Sequence, residues 1–376
     1  MRVPFVDLAA QHAEIADEVR SGLDAVFAST GFVGGPDVTA FEQEYAAYAG
    51  VDHCIGVANG TDALELALRA VGVSPGSEVI LPANTFIASA EAVSRIGAVP
   101  VPVDVDEEHL LIDPVAVSEA ITERTSAVIA VHLFGQLAPL DELAEICDEA
   151  GIPLVEDAAQ SQGAHWRGRG QDGSARLSRI AATSFYPGKN LGAAGDAGAV
   201  TTADPELAAR VRLLANHGSA TRYVHDVIGM NSRLDSLQAV YLRAKLGRLD
   251  KWNDLRSRAA QRYSELLGDV PGIQCPSAID PEAHVWHLYV VRVDDRDRVL
   301  QALGDAGVGA GIHYPTPVHL TGAYEHLGLG AGTAPIAEEA AGRILSLPMF
   351  PHLTEDMQAR VAEVLIDAVT DGGSTR

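Results

Sequence analysis

Cysteine is scarce in this chain of 376 residues: Cys54, Cys147 and Cys275 are three in all, widely separated and without a CxxC spacing. An odd, scattered set excludes a disulfide framework and a zinc knuckle, and leaves buried thiols as the expectation. Basic residues are few too, 27 Lys and Arg against 51 Asp and Glu, for a formal charge of −24. Such a balance repels nucleic acid and acidic membranes, so neither is expected as a partner; an anionic substrate needs Arg, Lys or His gathered locally. Long apolar runs are missing as well, since no stretch approaches the about eighteen uninterrupted apolar residues of a membrane span. The opening Met1-Arg2-Val3-Pro4-Phe5-Val6-Asp7-Leu8 has no basic segment followed by a continuous apolar one, so no secretory signal is expected and the protein is read as soluble and cytoplasmic. In that compartment the Asn59-Gly60-Thr61 match to a glycosylation acceptor is without meaning. The 13 histidines come with no HExxH or carboxylate–histidine cluster, and no metal is expected. His284 and His287 are three apart on an expected strand and would face opposite sides. There is no internal repeat or low-complexity tract, only a polar tail from Asp371 to Arg376 that is expected to fray.

What is present is a chain of 47% hydrophobic composition, long enough for two domains. Residues 55–200 alternate β-branched runs with helical patterns, the mark of βαβ units and a mainly parallel, doubly wound sheet. Strands are expected at 79–81, 99–103, 127–131 and 153–155, and helices at 91–96, 115–121 and 140–150. Pro139 and Gly151 stand where the last of these should start and stop. Around 231–265 the spacing of Leu234, Leu237, Val240, Tyr241, Leu246 and Leu249 predicts one long amphipathic helix leading from one domain into the next. The division is drawn at 1–245 for a large domain and 246–376 for a small α+β domain, with a strand at 284–291, a helix at 296–303 and a closing helix at 354–369. Gly168-Arg169-Gly170-Gln171-Asp172-Gly173 spells GxGxxG, but no hydrophobic strand leads into it, so it is read as a loop and not as a dinucleotide turn.

Three local constellations carry chemistry. In Asn59-Gly60-Thr61-Asp62 a short strand turns into a helix, whose free N–H groups and positive dipole end can hold an anion, aided by the Thr61 hydroxyl. The competing reading is an ordinary cap at Thr61 or Asp62. In Pro153-Leu154-Val155-Glu156-Asp157-Ala158-Ala159-Gln160 an apolar strand delivers Asp157 to its carboxyl end, where ligands lie in open α/β sheets. An ionised Asp157 under a pyridine nitrogen would keep it protonated and make the ring an electron sink, and Gln160 could bond the ring's 3′-oxygen. Asp157 could equally cap a turn. In Ser184-Phe185-Tyr186-Pro187-Gly188-Lys189-Asn190-Leu191-Gly192 a strand end is followed by a lysine among small apolar residues, where lost solvation favours the neutral, nucleophilic amine.

These segments, with Pro82-Ala83-Asn84-Thr85-Phe86 and Asn231-Ser232-Arg233-Leu234-Asp235, resemble the DegT/DnrJ/EryC1/StrS family of sugar aminotransferases over nearly the whole chain. The resemblance implies a fold-type-I architecture, pyridoxal 5′-phosphate as cofactor, a homodimer, and transfer of an amino group from L-glutamate to a nucleotide-linked keto sugar. It implies that Lys189 carries the cofactor as a Schiff base, that Asp157 pairs with the pyridine nitrogen and Gln160 with the 3′-oxygen, and that Phe86 stacks on the ring. Gly60, Thr61, Asp62 by its backbone N–H, and Ser184 would hold the phosphate, with Asn231 reaching in from the partner subunit. The run 184–198 is similar to members acting at C-3 of dTDP-3-oxo-6-deoxyhexoses. Amination at C-4, or of a cyclic ketone such as scyllo-inosose, is the alternative, and a cofactor-binding regulator is the non-enzymatic one. Tyr186, His313, Tyr314 and His319 are candidates for the sugar, and Arg222 from the partner subunit for the diphosphate.

Overall fold

The computed structural model describes residues 1–165 and 178–373. The GxGxxG run at 168–173 and the final residues of the polar tail lie outside the described residues. Seven strands form the main sheet: β1 (His53–Val57), β2 (Glu78–Pro82), β3 (Val99–Val103), β4 (Thr125–Val131), β5 (Leu154–Asp157), β6 (Ile180–Ser184) and β7 (Gly198–Thr202). Their order is β1-β7-β6-β5-β4-β2-β3, and β7 alone runs antiparallel to its neighbours. The middle strands are apolar throughout because helices cover both faces, as parallel sheets require. The two-residue period sorts them: Val79, Leu81 and Ile129 enter one core, Ile80, Val128 and Ala130 the other. The helices between are bounded by local chemistry. Leu140–Ala150 starts after Pro139 and stops at Gly151 in the left-handed conformation, φ +68°.

A second body surrounds its own core, built from the helices Leu249–Leu267, Arg296–Asp305 and Glu355–Gly373 on an antiparallel sheet of β8 (Ile273–Gln274), β9 (Tyr289–Val293) and β10 (Ile344–Leu347). Val3 belongs to this core, its N–H donating to Gly307 O at 3.0 Å, although the division at 245 and 246 counts it with the large domain.

Two expected elements differ. The long helix at 231–265 is two helices, Ser236–Leu246 and Leu249–Leu267, broken at Gly247 and Arg248. Arg248 leaves helical geometry and turns its side chain back onto Ala244 O at 2.6 Å. The strand at 284–291 begins only at Tyr289. Before it, Trp286 takes φ +48°, and the N–H groups of Val285 and Leu288 donate to Gly135 O and Phe134 O. His284 and His287 are therefore in a loop, not on two faces of a strand. Cys54 and Cys147 are buried and Cys275 is half-buried. Among the described residues no helix is long and apolar enough to cross a membrane, and no group of three or more His, Cys, Asp or Glu could hold a metal ion.

Candidate active site

At the carboxyl ends of β5 and β6 the main sheet and the second body enclose a cavity of about 740 Å³. One corner is the start of the helix Gly60–Val71. Its cap is Asn59, not Thr61 or Asp62: Asn59 Oδ1 accepts the Asp62 N–H at 2.8 Å. The Asp62 N–H, expected to be open to a ligand, is thus already engaged, and the first-turn N–H groups of Gly60 and Thr61 are the donors left by helix geometry. A Cβ on Gly60 would lie 2.5 Å from Ser184 Cβ, so the helix start rests directly on the end of β6 and brings the Thr61 and Ser184 hydroxyls to the same cavity wall. A Cβ on Gly198 would meet Asn59 O at 2.5 Å, which is why β7 opens with glycine. The Asp62 carboxylate pairs with Arg95 at 3.0 Å.

The opposite wall is Asp157, delivered by β5. Its Oδ2 accepts from Ser89 Oγ at 2.8 Å and its Oδ1 from the Ala159 N–H at 3.2 Å. Gln160 Oε1 accepts the Phe134 N–H at 2.7 Å, which fixes the amide so that Nε2 donates to Tyr314 Oη at 3.2 Å. The Phe86 ring is 51% exposed, 5.3 Å from Tyr314 and tilted by 38°.

Lys189 follows β6 and stands half-buried between these walls. Loss of solvation lowers its ammonium pKa to about 8, opposed by the Asp157 carboxylate. Burial and the Lys189 charge also depress His313, to about 4, and His287 well below the usual imidazole range. His287 Nδ1 lies 3.1 Å from Asn190 Oδ1; because Asn190 Nδ2 donates to Asn253 Oδ1 and Val285 O, that oxygen is an acceptor and His287 carries its proton on Nδ1.

The cavity gathers Lys189, Asp157 and the other residues expected at a cofactor, from Gly60 to Ser184, except Asn231. Of the substrate candidates it gathers Tyr186, His313 and Tyr314. Arg222 and Asn231 are exposed and lie outside the cavity of their own chain, Arg222 over the Tyr223 ring at 4.9 Å. His319 also lies outside it. The turn Val318–Leu320 carries its ring into the interior, where Nε2 meets Glu338 Oε1 at 2.9 Å, so the expected sugar contact is not available to it. Sequence reading missed Ser89, His287 and Phe5, which stacks on His313 with centroids 5.6 Å apart. No local pattern announces them; each is brought in from a distant segment.

The DegT/DnrJ/EryC1/StrS aminotransferase family matches residues 13–366. The erythromycin biosynthesis sensory transduction protein EryC1 of Saccharopolyspora erythraea is 50% identical over 97% of this chain and 99% of its own length. The dTDP-3-amino-3,4,6-trideoxy-alpha-D-glucose transaminase of Streptomyces venezuelae is 48% identical over 98% and 96%. The crystal structure of S. venezuelae DesV in complex with a ketimine intermediate has a TM-score of 0.94 at 46% identity, covering 97% of this chain and 98% of that one. The chain belongs to the DegT/DnrJ/EryC1/StrS aminotransferase family.

Proposed function

We propose that this pyridoxal-phosphate-dependent aminotransferase moves an amino group from L-glutamate to the C-3 keto group of a nucleotide-linked 3-oxo-6-deoxyhexose, with dTDP as the nucleotide. The observation that carries this reading is one cavity holding a lysine with a pKa lowered to about 8, a carboxylate, and a helix N-terminus. The donor set fits the cofactor's edges: N–H and hydroxyl donors at Gly60, Thr61 and Ser184 suit a phosphate, Asp157 suits a ring N–H, and the fixed Gln160 amide suits a ring oxygen. The dTDP-3-amino-sugar transaminase among the relatives supports the choice of C-3 and of dTDP.

When bound, pyridoxal phosphate supplies an aldehyde that bonds to amines and a ring that takes up the electron pair freed at the substrate carbon. Lys189 Nζ is the amine that would hold the cofactor and, when free, would take and return the proton at the substrate carbon. That work needs a neutral amine, and desolvation brings the neutral form within reach near physiological pH. Asp157 would hold the proton on the ring nitrogen, Gln160 Nε2 would donate to the ring oxygen, and Phe86 would cover a ring face. Tyr186, His313 and Tyr314 face the sugar. Asn231 and Arg222 act across a homodimer interface, as their exposure outside their own cavity allows. The protein works in the cytoplasm as two domains divided at 245 and 246, beside the helix break at Gly247, with Val3 tied to the second.

Mass spectrometry of the product tests this reading, with L-glutamate and either a dTDP-3-oxo or a dTDP-4-oxo sugar supplied. New nitrogen at C-3 from the 3-oxo sugar is expected. Nitrogen at C-4, or no amination of either sugar, overturns it.

A further inference from the structure

Asp157 does not stand alone beneath the cavity. Its Oδ2 receives the Ser89 hydroxyl at 2.8 Å, and Ser89 Oγ in turn lies 2.8 Å from Thr85 Oγ1. The direction of this chain is determined. An ionised carboxylate only accepts, so the single Ser89 proton goes to Asp157, and Thr85 must donate to Ser89. Both hydroxyls are buried, Thr85 at 3% and Ser89 at 1% exposure. They sit 68 residues or more before Asp157, on the segment that leaves β2 and starts the helix Ala88–Ile96. That segment also bears Phe86, so one stretch of backbone presents a ring to the cavity and, through Ser89 backed by Thr85, a hydroxyl to the carboxylate.

We infer that Ser89, oriented by Thr85, is a positioning residue that holds the Asp157 carboxylate in place for the cofactor's ring nitrogen and so keeps the proton there. The inference rests on the cofactor reading above. The Ser89 O–H points at the half-buried carboxylate and the Thr85 O–H at Ser89, and hydrogen bonds in such a chain strengthen one another. They are needed because of what Lys189 does. Its ammonium is the cation that feels Asp157, and chemistry that requires a neutral Lys189 withdraws that partner when the carboxylate's charge must hold a proton on the ring. The hydroxyl chain carries no titrating group of its own, so its support does not change through the cycle.

The test uses holoenzyme reconstituted with cofactor ¹⁵N-labelled in the ring, and reads the ring nitrogen's chemical shift together with the cofactor dissociation constant. Ser89→Ala should move the shift toward that of an unprotonated pyridine and weaken cofactor binding by about tenfold, the loss of one hydrogen bond to a charged group. Thr85→Val, nearly isosteric, should move the shift part of the way, and Thr85→Ser should restore it. In the Ser89→Ala background Thr85→Val should add nothing, because Thr85 acts only through Ser89. An unchanged shift in Ser89→Ala, or an additive effect of Thr85→Val, overturns the inference. A wild-type enzyme whose Lys189 takes no cofactor would instead sink the cofactor reading.

Discussion

The anion corner is built so tightly that a single methyl group should impair it. In Gly60→Ala the new Cβ lies 2.5 Å from Ser184 Cβ, 3.0 Å from its Oγ and 3.1 Å from its Cα. Carbon atoms rest at about 3.5–4.0 Å, so the helix start and the end of β6 must part by about 1 Å. Overpacking of this kind costs about 1–3 kcal/mol, offset in part by about 0.5–1 kcal/mol because alanine is the better helix residue. Stability therefore falls modestly. Binding suffers more, because the two displaced elements carry the proposed phosphate donors, and a bond to a charged group is worth about 1.5–3 kcal/mol. Losing one raises the cofactor dissociation constant by about 10- to 100-fold. Titration of apoenzyme with pyridoxal phosphate, followed by absorbance, measures it. Gly342→Ala is the control: its Cβ meets nothing within 4 Å, and binding should be unchanged. Wild-type affinity in Gly60→Ala would refute the assignment of this corner to the phosphate.

Asp157→Asn should bind cofactor and transaminate slower by on the order of 10²-fold or more; a near-normal rate removes the electron-sink role. Lys189 has a folded pKa of about 8 against an unfolded value of about 10.4, so between these the unfolded chain binds more protons and stability of the apoenzyme rises with pH. Lys189→Met should lack that rise and be the more stable at pH 7; urea unfolding at several pH values that runs parallel for the two proteins contradicts it. Subunits bearing Lys189→Ala and Asn231→Ala, each inactive alone, should regain on the order of a quarter of wild-type activity after exchange if Asn231 serves the partner's site. No recovery argues that each site is complete within its own chain.

What the sequence discloses follows the range of the interactions. The helix Leu140–Ala150 is legible because Pro139 and Gly151 mark both ends locally, and β3 because its apolar run has the length of a strand. The break at Gly247 is not, since Leu246 and Leu249 continue the helical spacing across it. Nor is the loop before Tyr289, where tertiary bonds to Phe134 and Gly135 hold Trp286 at positive φ against a pattern that reads as strand. In the site, Lys189, Asp157 and Gln160 are legible as candidates because Asp157 ends a recognisable strand and the other two follow a strand within a few residues. Ser89 reaches Asp157 across 68 residues, and His287 is fixed through Asn190 and Asn253, so only the assembled fold reveals them. His319 failed for the converse reason: a donor-rich loop looks alike whether its ring faces a cavity or, as here, Glu338.

The central claim is that the Lys189 amine bonds an aldehyde cofactor. Borohydride reduction of the holoenzyme, followed by peptide mass spectrometry, addresses it directly. The expected result is a reduced pyridoxyl group on Lys189, in the peptide containing residues 184–190; no such label, or a label confined to another lysine such as the buried Lys245, contradicts it.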